Sequence, residues 1–207
     1  MSVILATSNQ TPQTPQPPQT RRAPVQVEIN QGLTSDALTL RPLGYTDESA
    51  FVEALNRSRL PLRRWIPLEK TGESPTDYFH RQLQKTIQGE KSGTACRRAI
   101  FLNDNTFAGM VNIIKIERGM EWTAEANWWI DSAHAGKGLA TQALQLLLDH
   151  AMTDMPIGLG LHQIRAMICL DNPGSVRVAE KLGFKNSGNT DLLEVNHALI
   201  THHEFRL

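Results

Sequence analysis

Cysteine is nearly missing from this chain: Cys96 and Cys169 are its two thiols in 207 residues. A disulfide framework is therefore not expected, and a reducing, cytoplasmic setting is. Excess charge of either sign is missing too, with 21 Lys and Arg against 21 Asp and Glu. Nothing general draws such a chain to nucleic acid or to an anionic membrane. No apolar run approaches the roughly 20 residues that span a bilayer. Val3-Ile4-Leu5-Ala6 has no basic charge before it, so no secretory signal is expected. No Gly-x-x-x-x-Gly-Lys-Ser/Thr loop is present, which sets aside a nucleotide kinase. The seven histidines show no ligand spacing with cysteine or carboxylate support, so no metal is expected. His202-His203 read as ordinary residues of a C-terminal strand.

What is present suffices for one domain. Hydrophobic residues make up 40% of the chain, enough for a sizeable core. Residues 1 to 24 are rich in Thr, Pro and Gln and have little apolar surface to offset ordering entropy. They are expected to form a disordered tail, leaving 25–207 as a single domain. Leu38-Thr39-Leu40-Arg41-Pro42-Leu43 alternates as a strand ending near proline. Asp47 is placed to cap a helix to about Arg59, with Phe51, Ala54 and Leu55 on one face. Trp65-Ile66-Pro67 marks a loop. A second helix spans about Thr76 to Gln88, with Phe79, Leu83 and Ile87 inward and Gly89 as its stop.

Three strands are expected next, over Arg98 to Leu102, Thr106 to Ile116 and Glu121 to Ile130, with Asn103-Asp104-Asn105 as a turn. A helix from Gly138 to about Met152 carries Ala140, Ala143, Leu144, Leu147, Leu148 and Ala151 as its apolar stripe. A buried strand from Gln163 to Leu170 follows, holding Cys169 as a small hydrophobe. A helix from Pro173 to Leu182 and one or two strands complete the chain. Strands first, then alternation of strand and helix, imply an α/β domain around a mixed sheet.

Two segments carry chemistry. His134-Ala135-Gly136-Lys137-Gly138-Leu139-Ala140-Thr141 joins a strand to a well-patterned helix. Glycines let the backbone turn tightly and present its N–H groups, and the helix start adds unpaired donors and a positive dipole end. That combination suits phosphate or pyrophosphate. Asp171-Asn172-Pro173-Gly174-Ser175 opens the last helix, and Glu180-Lys181-Leu182-Gly183-Phe184 closes it. Asn172 also reads as an N-cap and Gly183 as a helix stop.

Together and in order, these segments resemble the acetyl-CoA-binding core of the GNAT superfamily. Leu40-Arg41-Pro42-Leu43, Leu62-Arg63-Arg64-Trp65-Ile66-Pro67, Ala124-Glu125-Ala126-Asn127-Trp128-Trp129-Ile130, Glu194-Val195-Asn196 and His203 resemble its RimJ/RimL branch of ribosomal-protein N-terminal acetyltransferases. The likeness covers about residues 37 to 207. It implies the GNAT fold: a mixed central sheet flanked by helices, with strands splayed at the acetyl-CoA site. It implies acetyl transfer to a primary amine by direct attack in a ternary complex, with no metal and a monomer or homodimer.

The same resemblance places coenzyme contacts at Ala135, Gly136, Lys137, Gly138, Leu139, Ala140 and Thr141, at Asn172 and Ser175, and at the Ile130 backbone. Ala135 stands where the family's loop usually has a polar residue. Glu125 is the expected base, Glu117 the runner-up, and Ser175 the donor to the leaving thiolate. The tyrosine that many family members use there is replaced by Ala179. Trp65 and Trp128 are expected to bound the acceptor site. The acceptor itself stays open among a peptide N-terminus, a polyamine, an aminoglycoside and an aminoacyl-tRNA. A non-catalytic acyl-CoA-binding module is the alternative.

Overall fold

The structure, a computed structural model, describes residues 32–68, 70 and 72–207. The expected tail and the first residues of the expected domain lie outside that range. Eight strands run in chain order: β1 (Leu33–Thr34), β2 (Leu38–Arg41), β3 (Cys96–Leu102), β4 (Phe107–Glu117), β5 (Thr123–Ile130), β6 (Gln163–Ile168), β7 (Lys185–Val195) and β8 (Ala198–Arg206). Among the described residues four α-helices accompany them: α1 (Glu48–Arg63), α2 (Pro75–Ser92), α3 (Leu139–Met152) and α4 (Pro173–Lys181).

The strands form one sheet in the order β1-β2-β3-β4-β5-β6-β8-β7. Every neighbouring pair is antiparallel except β5 with β6, which is parallel. Period-two alternation gives the sheet two apolar faces, each covered by helices. On the first face Ala143, Leu144, Leu147, Leu148 and Ala151 of α3 pack on Ile100, Val111, Ala126, Ile164 and Phe205. On the other face Phe51, Ala54 and Leu55 of α1 and Phe79 and Leu83 of α2 meet Phe101, Phe107, Met110 and Trp129. Phe51 is the hub of this second cluster, in ring contact with Tyr78, Phe79, Phe107 and Trp129.

Several boundaries differ from the sequence expectation for identifiable reasons. Helix α1 runs past Arg59 and through Pro61. Proline has no N–H to give the Arg57 carbonyl, and the Ser132 hydroxyl bonds that carbonyl at 3.2 Å instead. Asp47 does not cap α1 with its side chain. Its carboxylate takes the Arg41 guanidinium at 2.7 and 2.8 Å and the Gly44 N–H at 2.7 Å. Helix α2 passes through Gly89 and stops at Gly93, which adopts the left-handed conformation. Gly89 is a packing residue: a Cβ there would lie 2.7 Å from that of Ala95. Ile87, expected inward, is exposed. Helix α2 starts at Pro75 because Ser74 and Asp77 form a reciprocal capping box.

Gly109 has φ +141, and a Cβ there would meet the Trp129 carbonyl at 2.2 Å. Strand β4 can lie this close to β5 because that side chain is absent. Gly109→Ala is expected to cost about 3 kcal/mol or more. The measurement is the urea unfolding midpoint at unchanged slope.

Candidate active site

Strands β5 and β6 are paired at Thr123↔Gln163, Ala124↔Ile164 and Glu125↔Arg165, and no further. Beyond that point β5 follows β4, with Ala126 to Ile130 paired to Ile113 to Gly109. Strand β6 follows β8, with Ala166, Met167 and Ile168 opposite Phe205, Glu204 and His203. A cleft of about 510 Å³ opens where the two part, between residues 126–130 and 166–169.

Ile130 stands opposite Gly109, and the next bond outward runs from the Asp131 N–H to the Ala108 carbonyl at 2.9 Å. Antiparallel strands alternate bonded and non-bonded pairs. Ile130 therefore turns its own N–H away from β4 and into the splay. The side chains divide likewise: Trp128 and Ile130 pack toward α3, whereas Trp129 packs toward α1 and α2. Asn127 shares the Trp129 face and accepts the Asn112 amide at 2.8 Å.

The loop after β5 is held by Asp131, which is fully buried. Its carboxylate receives the Arg57 guanidinium at 2.6 to 3.2 Å, the Ser58 hydroxyl at 2.9 Å and the Ala133 N–H at 3.3 Å. The Ser132 N–H bonds the Ser58 hydroxyl in turn, at 2.8 Å. Burial alone would raise the Asp131 pKa, but the bonds from Arg57, Ser58 and Ala133 outweigh it and hold the carboxyl below its usual range.

This fixed start leads into Gly136 and Gly138, with φ +77 and +79, and then into α3. The Ala135 N–H bonds the Ser132 carbonyl at 3.4 Å. The amides of residues 136 to 141 have no internal acceptor among the described residues, and Gly138 offers α3 no side-chain cap. Six open donors at a helix start form an anion cradle. Arg177 and Lys181, one turn apart on α4, add positive charge to the lining.

The opposite wall comes from the end of α1: Pro61, Leu62, Trp65 and Ile66. The Trp65 ring carries the Arg64 guanidinium 4.6 Å above its centre. Asn196, in the β7–β8 turn, donates to the Arg63 and Ile66 carbonyls and ties this wall to the sheet.

Residues 37–185 match the family described as an acetyltransferase (GNAT) domain. The chain belongs to the GNAT acetyltransferase family. Probable N-acetyltransferase YjcK of Bacillus subtilis (strain 168) is 40% identical over 86 residues, 42% of this chain and 45% of that protein. Ribosomal-protein-serine acetyltransferase of Escherichia coli (strain K12) is 33% identical over 105 residues, 49% of this chain and 55% of that one. The chain thus matches about half the length of these two relatives. Spermidine N(1)-acetyltransferase of Escherichia coli (strain K12) is 25% identical over 173 residues, 84% of this chain and 83% of that one. RimJ of Mycobacterium smegmatis, in complex with CoA-disulfide, superposes with a TM-score of 0.73 at 25% identity, covering 82% of this chain and 81% of that one.

In this GNAT chain the cleft gathers Trp65, Trp128, Ile130, Ala135, Gly136, Gly138, Leu139, Ala140, Thr141, Asn172 and Ser175. Lys137 stays off the lining, its ammonium bonded to the Ala133 carbonyl at 3.1 Å. Glu125 and Glu117 are not brought to the cleft. Glu125 lies on the paired part of β5, with Lys115 at 2.9 Å and Arg165 at 3.7 Å from its carboxylate. Glu117 is exposed at the end of β4. Cys169 lies past the end of β6, half-buried, and lines the cleft rather than the core. His134 and His202 also line it, as the sequence reading did not expect. The signal for His202 was there: counting back from core residue Phe205 by twos leaves 202 on the opposite face.

Asp131→Asn is expected to cost about 3 kcal/mol at pH 7, the order found when one partner of a buried ion pair is lost. The native carboxyl titrates below its unfolded value near 4, so its stabilisation is present above about pH 4 and is lost as pH falls further. Urea unfolding of wild type and variant should therefore converge as pH falls below about 4.

Proposed function

We infer that this chain transfers an acetyl group from acetyl-CoA to a primary amine in a ternary complex. The observation that carries this reading is one continuous cleft joining the open amides of residues 136–141 to the gap between β5 and β6. The residues fit the coenzyme: six unpaired amides and two left-handed glycines suit a diphosphate, and Arg177 and Lys181 suit a further phosphate. Acetyl-CoA supplies the acyl group already activated as a thioester.

The chain's residues take roles from their positions. The Ile130 N–H faces the splay and polarises the acyl carbonyl there. Asn172 accepts the Ser175 N–H at 3.1 Å, fixing the first turn of α4 so that the Ser175 hydroxyl lines the cleft as donor to the leaving sulfur. Trp65, Ile66 and Trp129 form an apolar wall on the other side.

Among the described residues, no aspartate or glutamate lines the cleft. A polyamine would bring several ammonium groups with no carboxylate to meet them, an unfavourable desolvation. We favour a singly charged acceptor, a protein or peptide N-terminus. The named activity of the ribosomal-protein relative supports this class, and that of the spermidine relative supports the polyamine alternative. Cytoplasmic placement belongs to the same proposal.

Thiol release from acetyl-CoA with serine- and alanine-terminated peptides against spermidine is the test. Faster release with peptides is expected. Faster release with spermidine overturns the acceptor class, and coenzyme binding without release toward any amine leaves a binding module. Gly138→Trp, which fills the turn before α3, is expected to abolish acetyl-CoA binding by calorimetry while the variant stays folded. Unchanged affinity would displace the diphosphate from residues 136–141.

A further inference from the structure

The proposed reaction needs a proton acceptor, because the α-ammonium of the favoured peptide acceptor has a pKa near 8, is mostly protonated at neutral pH and attacks only as the free base. With no carboxylate in the lining, the basic side chains facing the cleft among the described residues are Arg177, Lys181, His134 and His202. Arginine stays protonated, and lysine at neutral pH largely so. His134 closes the short turn that enters the coenzyme loop, on the phosphate side. His202 lies elsewhere. It follows the last β6–β8 pair, Ile168↔His203, at the open end of the splay. Alternation along β8 puts Phe205 and His203 toward α3, and His202 toward the face of Asn127 and Trp129 where an acceptor would enter.

His202 is 6% exposed, and its Nδ1 lies 2.9 Å from the Ile200 carbonyl oxygen. A carbonyl can only accept, so Nδ1 carries the proton, and a neutral imidazole then holds its lone pair on Nε2. Nε2 has no bonding partner among the described residues. The ring is thus held by the backbone in the tautomer a base requires.

We propose that His202 Nε2 is the proton acceptor for the attacking amine, an inference that rests on the transferase reading above. Nε2 takes one proton from the ammonium. The freed nitrogen lone pair attacks the thioester carbonyl carbon, and the C–S bond breaks as the N–C bond forms. The amine's second proton ends on the coenzyme sulfur, and the imidazolium returns its proton to solvent. The products are the amide, free coenzyme A and one proton. The charged and titratable groups on the His202 side of the sheet are Asp191 opposite it on β7, the Cys169 thiol just past the last β6–β8 pair and Glu204 two residues along β8, with Arg165 and Glu125 farther along, at the paired end of β5 and β6. Glu204 and Glu125 share Arg165 between them, at 3.9 and 3.7 Å.

The test has two parts. Long-range ¹H–¹⁵N NMR of the wild-type protein at pH 8 should show His202 protonated on Nδ1 and bare on Nε2; the opposite tautomer overturns the assignment. His202→Gln is then assayed with a serine-terminated peptide and with an alkoxyamine, which is already neutral at pH 7. The peptide rate is expected to fall about 100-fold or more, the alkoxyamine rate far less, and acetyl-CoA affinity to hold within about twofold. Equal losses with both acceptors, no loss with the peptide, or lost coenzyme affinity overturns the role. Wild-type protein inert toward both acceptors and toward spermidine removes the transferase reading itself, a result distinct from an active wild type matched by an active variant.

Discussion

Strands β5 and β6 share three residue pairs and then separate, because each has an antiparallel neighbour that continues to pair with it. Antiparallel ladders are slightly more stable per residue than parallel ones, and sheet twist rotates the two halves apart. The cleft is thus a consequence of strand order. Its walls are backbone as much as side chain, since strand edges that have lost a partner expose N–H and C=O groups. In a soluble core such groups would be a liability. Here they face a channel wide enough for a ligand to satisfy them.

A split sheet needs support at its open end, and α1 supplies it. Arg57 and Ser58 hold the buried Asp131, and Pro61, by lacking an N–H, frees the Arg57 carbonyl for Ser132. A helix from one face of the sheet therefore clamps a loop that opens toward the other face. The buried charge would be costly alone, and paired and hydrogen-bonded as it is, it specifies one position for the loop. The glycines that follow can adopt left-handed conformations without making the whole segment loose, because Asp131 and Ser132 tie its start to Arg57 and Ser58. Preorganised donors of this kind bind anions without a further ordering cost.

The order of elements and the amide-lined side of the cleft were legible because they are written locally. Periodicity placed α3, and Gly136, Gly138 and Asn172 carry turn and cap chemistry within a few residues of where they act. The opposite wall was not legible in the same way. His202 is 137 residues from Trp65 in sequence and meets the cleft through pairing registers that no local pattern encodes. Gly89 misled for a related reason: a glycine selected by the approach of Ala95 looks, in sequence, like a glycine that ends a helix. Asp47 had the composition of a cap, but Arg41 offered its carboxylate a bidentate partner, which is the stronger bond.

The position of Glu125 shows how closely seam and site are linked. Glu125↔Arg165 is the last pair before β5 and β6 part. Around it, Lys115 of β4, Glu125 of β5, Arg165 of β6, and Glu204 and Arg206 of β8 alternate in charge across four adjacent strands. Glu204 is held down to about 2, chiefly by the Arg206 hydrogen bond and further by Ser187 and Asn189, so it is ionised across the neutral range. Opposite charges on adjacent strands stabilise the pairing that brings them together. The ladder lies at the closed end of the parallel seam, and nothing comparable crosses the open end among the described residues. A carboxylate at 125 thus helps to set where the sheet stops being continuous. A one-residue slip in the register of β5 against β4 would reverse the faces of β5 and turn the Ile130 N–H toward β4, away from the cleft.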